Sequence, residues 1–454
     1  MQPAHRYAPG PRPLPVIGNI LDLRSGGLLF SHVAHWRRWG DAIRYLFGPV
    51  KALAVAHPDA LRHVMIKNKG NYIKGGGVES LRWLTGEGLF TADGALWQTQ
   101  RRMMQPQFTI AATRNYGASM LAAVAETADR LAATPAGTDL DLSFEMMRFT
   151  MDVICRTMFS MSIAEGASRL SEAITETLGW VGARGLALVR LNPKVPTPAN
   201  RRFVRALAQI DAFLTELIHT RSRSGELGQR GDLLDQLLQA SDPESGRGMT
   251  VQQLRDEMVT IFLAGHETTA VALVWAWGLI AQNRFARDEL EAELARVLGG
   301  REPTAADLPA LGYTRRVLDE TLRLYPPVWT SPREAVSADE VAGYSVAPGD
   351  SVLPMIFVTH RHPEFWSEPE RFDPERFTPG LVAERHPCAY LPFGAGPRLC
   401  LGMNFALQEM ILLVASVAQR VRMSLSPGQQ LIIDTSAATL RLRDHLHVRV
   451  ERRA

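Results

Sequence analysis

Apolar positions repeat with two different periods along this chain. At 42–47 and 51–56, short runs of β-forming residues flank Gly48-Pro49, which predicts a hairpin. Beyond them the spacing turns helical. Asp93 is placed to cap a helix running through Trp97 and Arg101, and the dense apolar run 144–159 predicts a helix buried on all sides. The intervening Gly75-Gly76-Gly77 predicts a flexible loop. Pro193, Pro196 and Pro198 break the pattern before a long amphipathic helix whose apolar face carries Phe203, Leu207, Ile210, Leu214 and Leu217, and 221–231 reads as a polar connector.

Thr250 then caps a helix expected to reach Gln282, followed by a helix over 286–298 that Gly299-Gly300 ends. A third, 313–324, is stopped by Pro326-Pro327. From 328 to 390 the texture changes to short strands, turns and prolines. After Cys400 one last helix precedes the alternation of Leu446, Val448 and Val450. No repeat or linker separates two folding units, so the expectation is a single large domain over 1–454, mainly α with a minor β portion, led in by a Pro-rich extended segment at 1–20. That segment lacks the layout of a signal peptide, and the most apolar stretch, 270–281, is too short to span a bilayer. No transmembrane anchor is expected.

Charge narrows the partners. Fifty Lys and Arg stand against 47 Asp and Glu, a formal net charge of +3. That is far from the positive excess of a nucleic-acid binder, so none is expected as a partner. Three scattered cysteines, Cys155, Cys388 and Cys400, make no disulfide framework and point to a reducing cytoplasm.

One segment carries chemistry: Phe393-Gly394-Ala395-Gly396-Pro397-Arg398-Leu399-Cys400-Leu401-Gly402. A metal-binding thiolate needs backbone N–H donors, a backbone able to approach a flat cofactor, and nearby cations. Glycines, an Arg two residues before the Cys and a helix expected to begin at the Cys supply all three, the helix start favouring the anionic sulfur. A lone buried cysteine is the competing reading for Cys400, and the density of the pattern argues against it. A dinucleotide fingerprint fails too, because Leu399 stands where the last glycine of G-x-G-x-x-G belongs.

These residues resemble the haem-binding loop of cytochrome P450, a family of haem-thiolate monooxygenases, and three further patterns follow in that family's order. The first is Ala264-Gly265-His266-Glu267-Thr268-Thr269, midway along the long helix. Small Ala264 and Gly265 would let the helix pass close over the iron, while Glu267 and Thr268, an acid beside an alcohol, could relay protons. His266-Glu267 could also open a zinc-hydrolase H-E-x-x-H, but the second histidine position is Ala270. The second pattern is Glu320-Thr321-Leu322-Arg323, whose Glu and Arg share a helical face. By itself it would read as a surface pair; the resemblance adds Arg376 and implies a network that retains haem. The third is Trp97 with Arg101, implied with Arg398 to hold a haem propionate; Arg333 sits where another propionate partner is implied. Cys155 and Cys388 lack the flanking glycines and read as packing.

The resemblance thus implies haem b ligated by Cys400 within a loop including Phe393, Gly394 and Gly402, and insertion of one oxygen atom from O2 into a C–H bond of an apolar small molecule: a terpenoid, fatty-acyl or polyketide compound. Phe90, Leu263, Ala264, Val328, Trp329 and Ala437 would line the pocket, with contributions from around Trp180 and Phe203. With only about fifty residues after Cys400, electrons are expected from a separate ferredoxin or flavodoxin with its NAD(P)H reductase, docking on a face that displays Arg101, Arg102 and Arg398. Two rival readings, a peroxide-driven or non-oxidative haem-thiolate enzyme and a haem sensor, are disfavoured by the Glu267-Thr268 pair.

Overall fold

A computed structural model describes residues 6–21, 27–162, 167–185, 192–223, 227–435 and 439–453. The strands, in chain order, are β1 (Ala42–Phe47), β2 (Val50–Val55), β3 (Tyr72–Ile73), β4 (Asp139–Asp141), β5 (Arg333–Ala335), β6 (Asp339–Val341), β7 (Tyr344–Val346), β8 (Ser351–Pro354), β9 (Val421–Leu425) and β10 (His447–Arg452). Helices make up most of the rest, giving the mainly α architecture with a minor β portion that the sequence predicts. The β1–β2 hairpin forms with Phe47 opposite Val50. Its second strand then pairs in parallel with β8, Ala52 against Ser351, and the sheet runs β1-β2-β8-β5-β3.

The long helix, Val251–Gln282, is the axis of the core. Its start is a capping box: Thr250 Oγ1 accepts from Gln253 N–H at 3.2 Å while Gln253 Oε1 accepts from Thr250 N–H at 2.8 Å. Among the described residues it is also the one helix long and apolar enough to cross a membrane, yet 72% of its most apolar window is buried inside the protein. It packs in one cluster with the Leu142–Phe159, Gly312–Leu324 and Met403–Arg420 helices. Against the Leu142–Phe159 helix the approach is so close that a Cβ on Gly265 would lie 2.5 Å from Ile154 Cδ1.

Several local expectations shift. The helix after the long one begins at Arg284, because the Asn283 side chain accepts from Ala286 N–H at 2.9 Å and caps it; Gly299, at φ +58°, ends it as expected. The 144–159 run is not buried on all sides: Phe144 is exposed and Arg156 pairs with Asp152 at the helix surface. The segment 75–78 is a turn of 3₁₀ helix. The supposed connector after 221 starts inside a helix, where buried Arg221 bonds Asp232 at 2.8 Å and Asp235 at 2.7 Å.

Candidate functional site

The Cys400 loop is built from tight turns. Gly394 N–H donates to Leu391 O, Leu399 N–H to Gly396 O, and Cys400 N–H to Phe393 O at 2.9 Å. Gly394 and Gly396 have φ of +76° and +65°, which side-chain-bearing residues rarely adopt. A Cβ on Gly396 would meet the Met65 carbonyl oxygen at 2.0 Å, so this glycine serves contact with the 63–67 helical turn. The helix expected to begin at Cys400 instead begins at Met403, because Pro397 and Leu399 carry the chain through a 3₁₀ turn first. The sulfur gains only the Gly402 N–H and the Arg101 charge, and crowding by protein raises the thiol above its usual range. A bound cation is what would make it a thiolate. Cys400 is exposed, whereas Cys155 and Cys388 are buried, with burial pushing Cys155 up to about 12.

Four cations gather beside that loop. The Arg398 guanidinium stacks over Trp97 at 4.0 Å, donates to Ala92 O at 2.8 Å and pairs with Asp93. Arg101 donates to Leu399 O at 3.0 Å. Buried Arg333 donates to Ser331 Oγ at 2.8 Å, and burial with repulsion from Arg398 brings it down to about 10. Lys74, which the sequence did not single out, completes the group: burial, then Arg333 and Arg398, depress its ammonium to about 7, with Asp93 opposing. Asp93 does not cap its helix by side chain as expected. It accepts from Lys74 N–H at 3.1 Å and pairs with Arg398 instead. Lys74, Arg333 and Arg398 thus share Asp93 as an opposing charge, while Arg101 lies beside Arg398 and Cys400. The excess of positive charge, the Trp97 ring and the exposed sulfur fit a flat group bearing two carboxylates and a metal.

The Glu320–Arg323 pair is not a surface pair. Both side chains are fully buried and bonded twice, Nε to Oε2 at 2.6 Å and Nη2 to Oε1 at 2.8 Å. Arg376 Nε lies 3.4 Å from Glu320 Oε1, and Asp373 N–H donates to the same oxygen at 2.9 Å. Arg323 also donates to the carbonyls of His360, Pro369 and Arg371. Burial raises the Glu320 carboxyl while both arginines pull it back.

On the long helix, Ala264 is exposed and Leu263, Gly265, Glu267 and Thr268 are partly exposed, in a stretch otherwise packed into the core. Thr268 Oγ1 donates to Ala264 O at 2.6 Å. Glu267 does not bond Thr268: its Oε1 accepts from Thr439 Oγ1 at 2.8 Å, a partner contributed by a distant loop and invisible in the local motif. Gly265 packs against Ile154 and is partly exposed, whereas Ala264 is exposed. His266 donates from Nδ1 to Phe262 O at 3.2 Å and is buried, which lowers its pKa and keeps it neutral.

Of the other pocket candidates, Phe90 and Val328 are exposed. Trp329 is a core residue, packed with Leu29, Phe357 and Leu440. Trp180 and Phe203 stack on each other at 3.9 Å, joining two helices. Ala437 lies outside the described residues. Arg102 is no free docking cation, since Asp242 at 3.0 Å and Glu244 at 2.9 Å hold it.

The sequence matches the family model described as Cytochrome P450 over residues 8–448. The chain belongs to the cytochrome P450 family. This P450 is 36% identical over 431 residues to cyclooctatin synthase of Streptomyces melanosporofaciens, covering 94% of this chain and 92% of that one. It is 31% identical over 429 residues to pentalenene oxygenase of Streptomyces avermitilis, with 93% of each covered. Among solved structures, the P450DA haem domain superposes with a TM-score of 0.90 at 26% identity, covering 98% of both chains. The chain is a P450 monooxygenase whose family cofactor is haem with a cysteine thiolate.

Proposed function

We propose that this P450 inserts one oxygen atom from O2 into a C–H bond of a neutral, polycyclic terpenoid, with Cys400 holding haem b and electrons arriving from a separate ferredoxin or flavodoxin and its NAD(P)H reductase. The observation that carries this is the exposed Ala264, flanked by the partly exposed Leu263, Gly265, Glu267 and Thr268, midway along a mostly buried helix. No Arg or Lys occurs from 261 to 269, so that surface suits an uncharged apolar substrate. Relatives named for cyclooctat-9-en-7-ol and pentalenene, ring compounds by their names, favour a terpenoid over a fatty-acyl or polyketide chain.

Lys74, Arg101, Arg333, Arg398 and Trp97 would hold the haem carboxylates, and Glu320, Arg323 and Arg376 would keep the framework rigid behind them. The bound haem supplies oxygen activation. The protein supplies placement and protons. Phe90, Leu263 and Val328 bind the apolar body and exclude water; Thr268 holds a proton at Oγ1, one turn from exposed Ala264. Glu267 holds a second at its carboxyl, its orientation set by Thr439. The three cysteines, all free, suit the cytoplasm.

Two measurements test this reading. Cyclic alkenes and alkenols are screened for a shift of the haem absorption band, and hits are incubated with a ferredoxin, its reductase and NADPH. Hydroxylated product that requires reductant supports it; turnover with peroxide alone, or charged ligands as the only binders, would overturn it.

A further inference from the structure

The segment leading into Phe90 is pinned to the long helix by three consecutive side chains. Arg255 Nη1 donates to Leu84 O at 2.7 Å, Asp256 Oδ2 accepts from Glu87 N–H at 3.0 Å, and Glu257 Oε2 accepts from Leu89 N–H at 3.0 Å. From the other side, Gln100 Nε2 donates to Glu87 O at 2.8 Å. Contact is tight enough to dictate sequence. A Cβ on Gly86, whose φ is +55°, would lie 2.2 Å from Asp256 Oδ2, and one on Gly88 would lie 2.1 Å from Thr260 Oγ1 and 2.8 Å from the Asp256 carbonyl oxygen. Beyond Phe90, Thr91 donates to the Gly86 carbonyl at 2.7 Å, and Ala92 O accepts from Arg398. Phe90 is therefore an exposed ring on a segment fixed at both ends.

The register links this clamp to exposed Ala264. Glu257 and Ala264 are seven apart, on one face of the helix and separated by about 10 Å of rise. We propose that Asp256 and Glu257 are specificity-determining positioning residues: by holding the Gly86–Leu89 backbone two turns before Ala264, they fix where Phe90 bounds the substrate. This rests on the reading of Phe90 as a pocket wall. Nothing in the haem-holding set requires these two acids, and both are buried. Glu257 Oε1, Gln100 Oε1 and Thr260 Oγ1 are buried without a hydrogen-bond partner among the described residues. Burial pushes the Glu257 carboxyl up to about 8, with Leu89 N–H pulling it down and Asp256 adding to the rise. At neutral pH it is then a carboxylic acid, accepting from Leu89 and carrying its own donor. Glutamine reproduces both functions, whereas alanine has neither.

The test uses the haem-loaded protein with two azole probes, imidazole, which needs little room, and clotrimazole, which fills a pocket. In Glu257→Ala, amide exchange over 86–92 should rise about tenfold, the scale of one lost buried hydrogen bond, with exchange in the Met403–Arg420 helix unchanged. Clotrimazole affinity should fall about as much while imidazole affinity stays within about twofold. Glu257→Gln should restore wild-type behaviour in both. Should Glu257→Ala fail to fold, Asp256→Asn is to show the same pattern more weakly. Unchanged exchange over 86–92, or equal losses for both azoles, overturns the clamp. Phe90→Ala as a parallel variant separates the two levels: if it leaves clotrimazole binding intact, the pocket assignment fails and this inference with it. If Phe90→Ala weakens clotrimazole binding while Glu257→Ala does not, the clamp alone is wrong.

Discussion

The backbone N–H of Leu391 donates to His360 Nε2 at 2.8 Å, while Nδ1 of the same ring donates to Arg323 O at 3.1 Å. A single neutral imidazole thereby joins the buried Glu320–Arg323 pair to the residue that opens the Cys400 loop. Burial, with Arg323 and Arg361 nearby, lowers His360 to about 3, although its bonds to backbone carbonyls oppose the shift.

A depressed histidine pKa means that His360 favours folding above its unfolded value of about 6.5, and that this contribution is lost as pH falls through about 3. His360→Gln should therefore be destabilised most near neutrality, and its deficit should shrink between pH 6.5 and the acid limit. Urea midpoints of both proteins across that range check it; a deficit that is constant with pH would show that the ring does not titrate as stated.

Glu320→Ala leaves the Arg323 guanidinium buried without its carboxylate and should cost about 3–5 kcal/mol, enough to abolish haem-loaded soluble protein. Soluble yield and haem-to-protein ratio provide the measurement. Glu320→Asp, which shortens the carboxylate by one methylene, should retain a fraction of both.

Lys74→Met removes one of the four basic side chains gathered beside the Cys400 loop. Haem transfer to apomyoglobin should be several-fold faster than from the wild type, with the band of the reduced carbonyl complex unchanged because Cys400 is untouched. Cys400→His should do the opposite, shifting that band away from its thiolate position.

Thr268→Ala deletes the hydroxyl that donates to Ala264 O. Reductant consumption should persist while product per electron drops and peroxide or water rises. Thr439→Val, which removes the partner of Glu267, should give a milder loss of the same kind; an unaltered product-to-electron ratio in both would remove this face of the helix from proton delivery.

Gly265→Ala should destabilise by about 1–3 kcal/mol, since the new methyl collides with Ile154 Cδ1. Ile154→Val deletes that atom, so the double variant should recover most of the loss, read as a coupling in a double-mutant cycle.

What the sequence revealed follows from how local each cause is. Thr250 with Gln253, and Gly299 at a helix end, act within one turn, so those boundaries are readable by inspection. Asp93 does stand at the N-cap, but its carboxylate does not cap the helix, because Arg398, 305 residues away, takes it. The same distance effect hid Lys74 and Thr439, which belong to the site only through packing. Gly265 and Gly396 each admit a close neighbour, and those neighbours are Ile154 and Met65 of the chain itself. A motif states that space is needed there without stating for what.

The parallel pairing of β2 with β8 has a consequence for how the chain is made. Ala52 and Ser351 are about 300 residues apart, so at a ribosomal rate of 5–20 residues per second β2 waits roughly 15–60 s for its neighbour. During that interval the hairpin has one side of its backbone unpaired, a template for misplaced strands. Folding of the small sheet is thus timed by translation of the far end of the gene, and slowing the ribosome before codon 351 should lengthen the period in which nascent chains depend on chaperones.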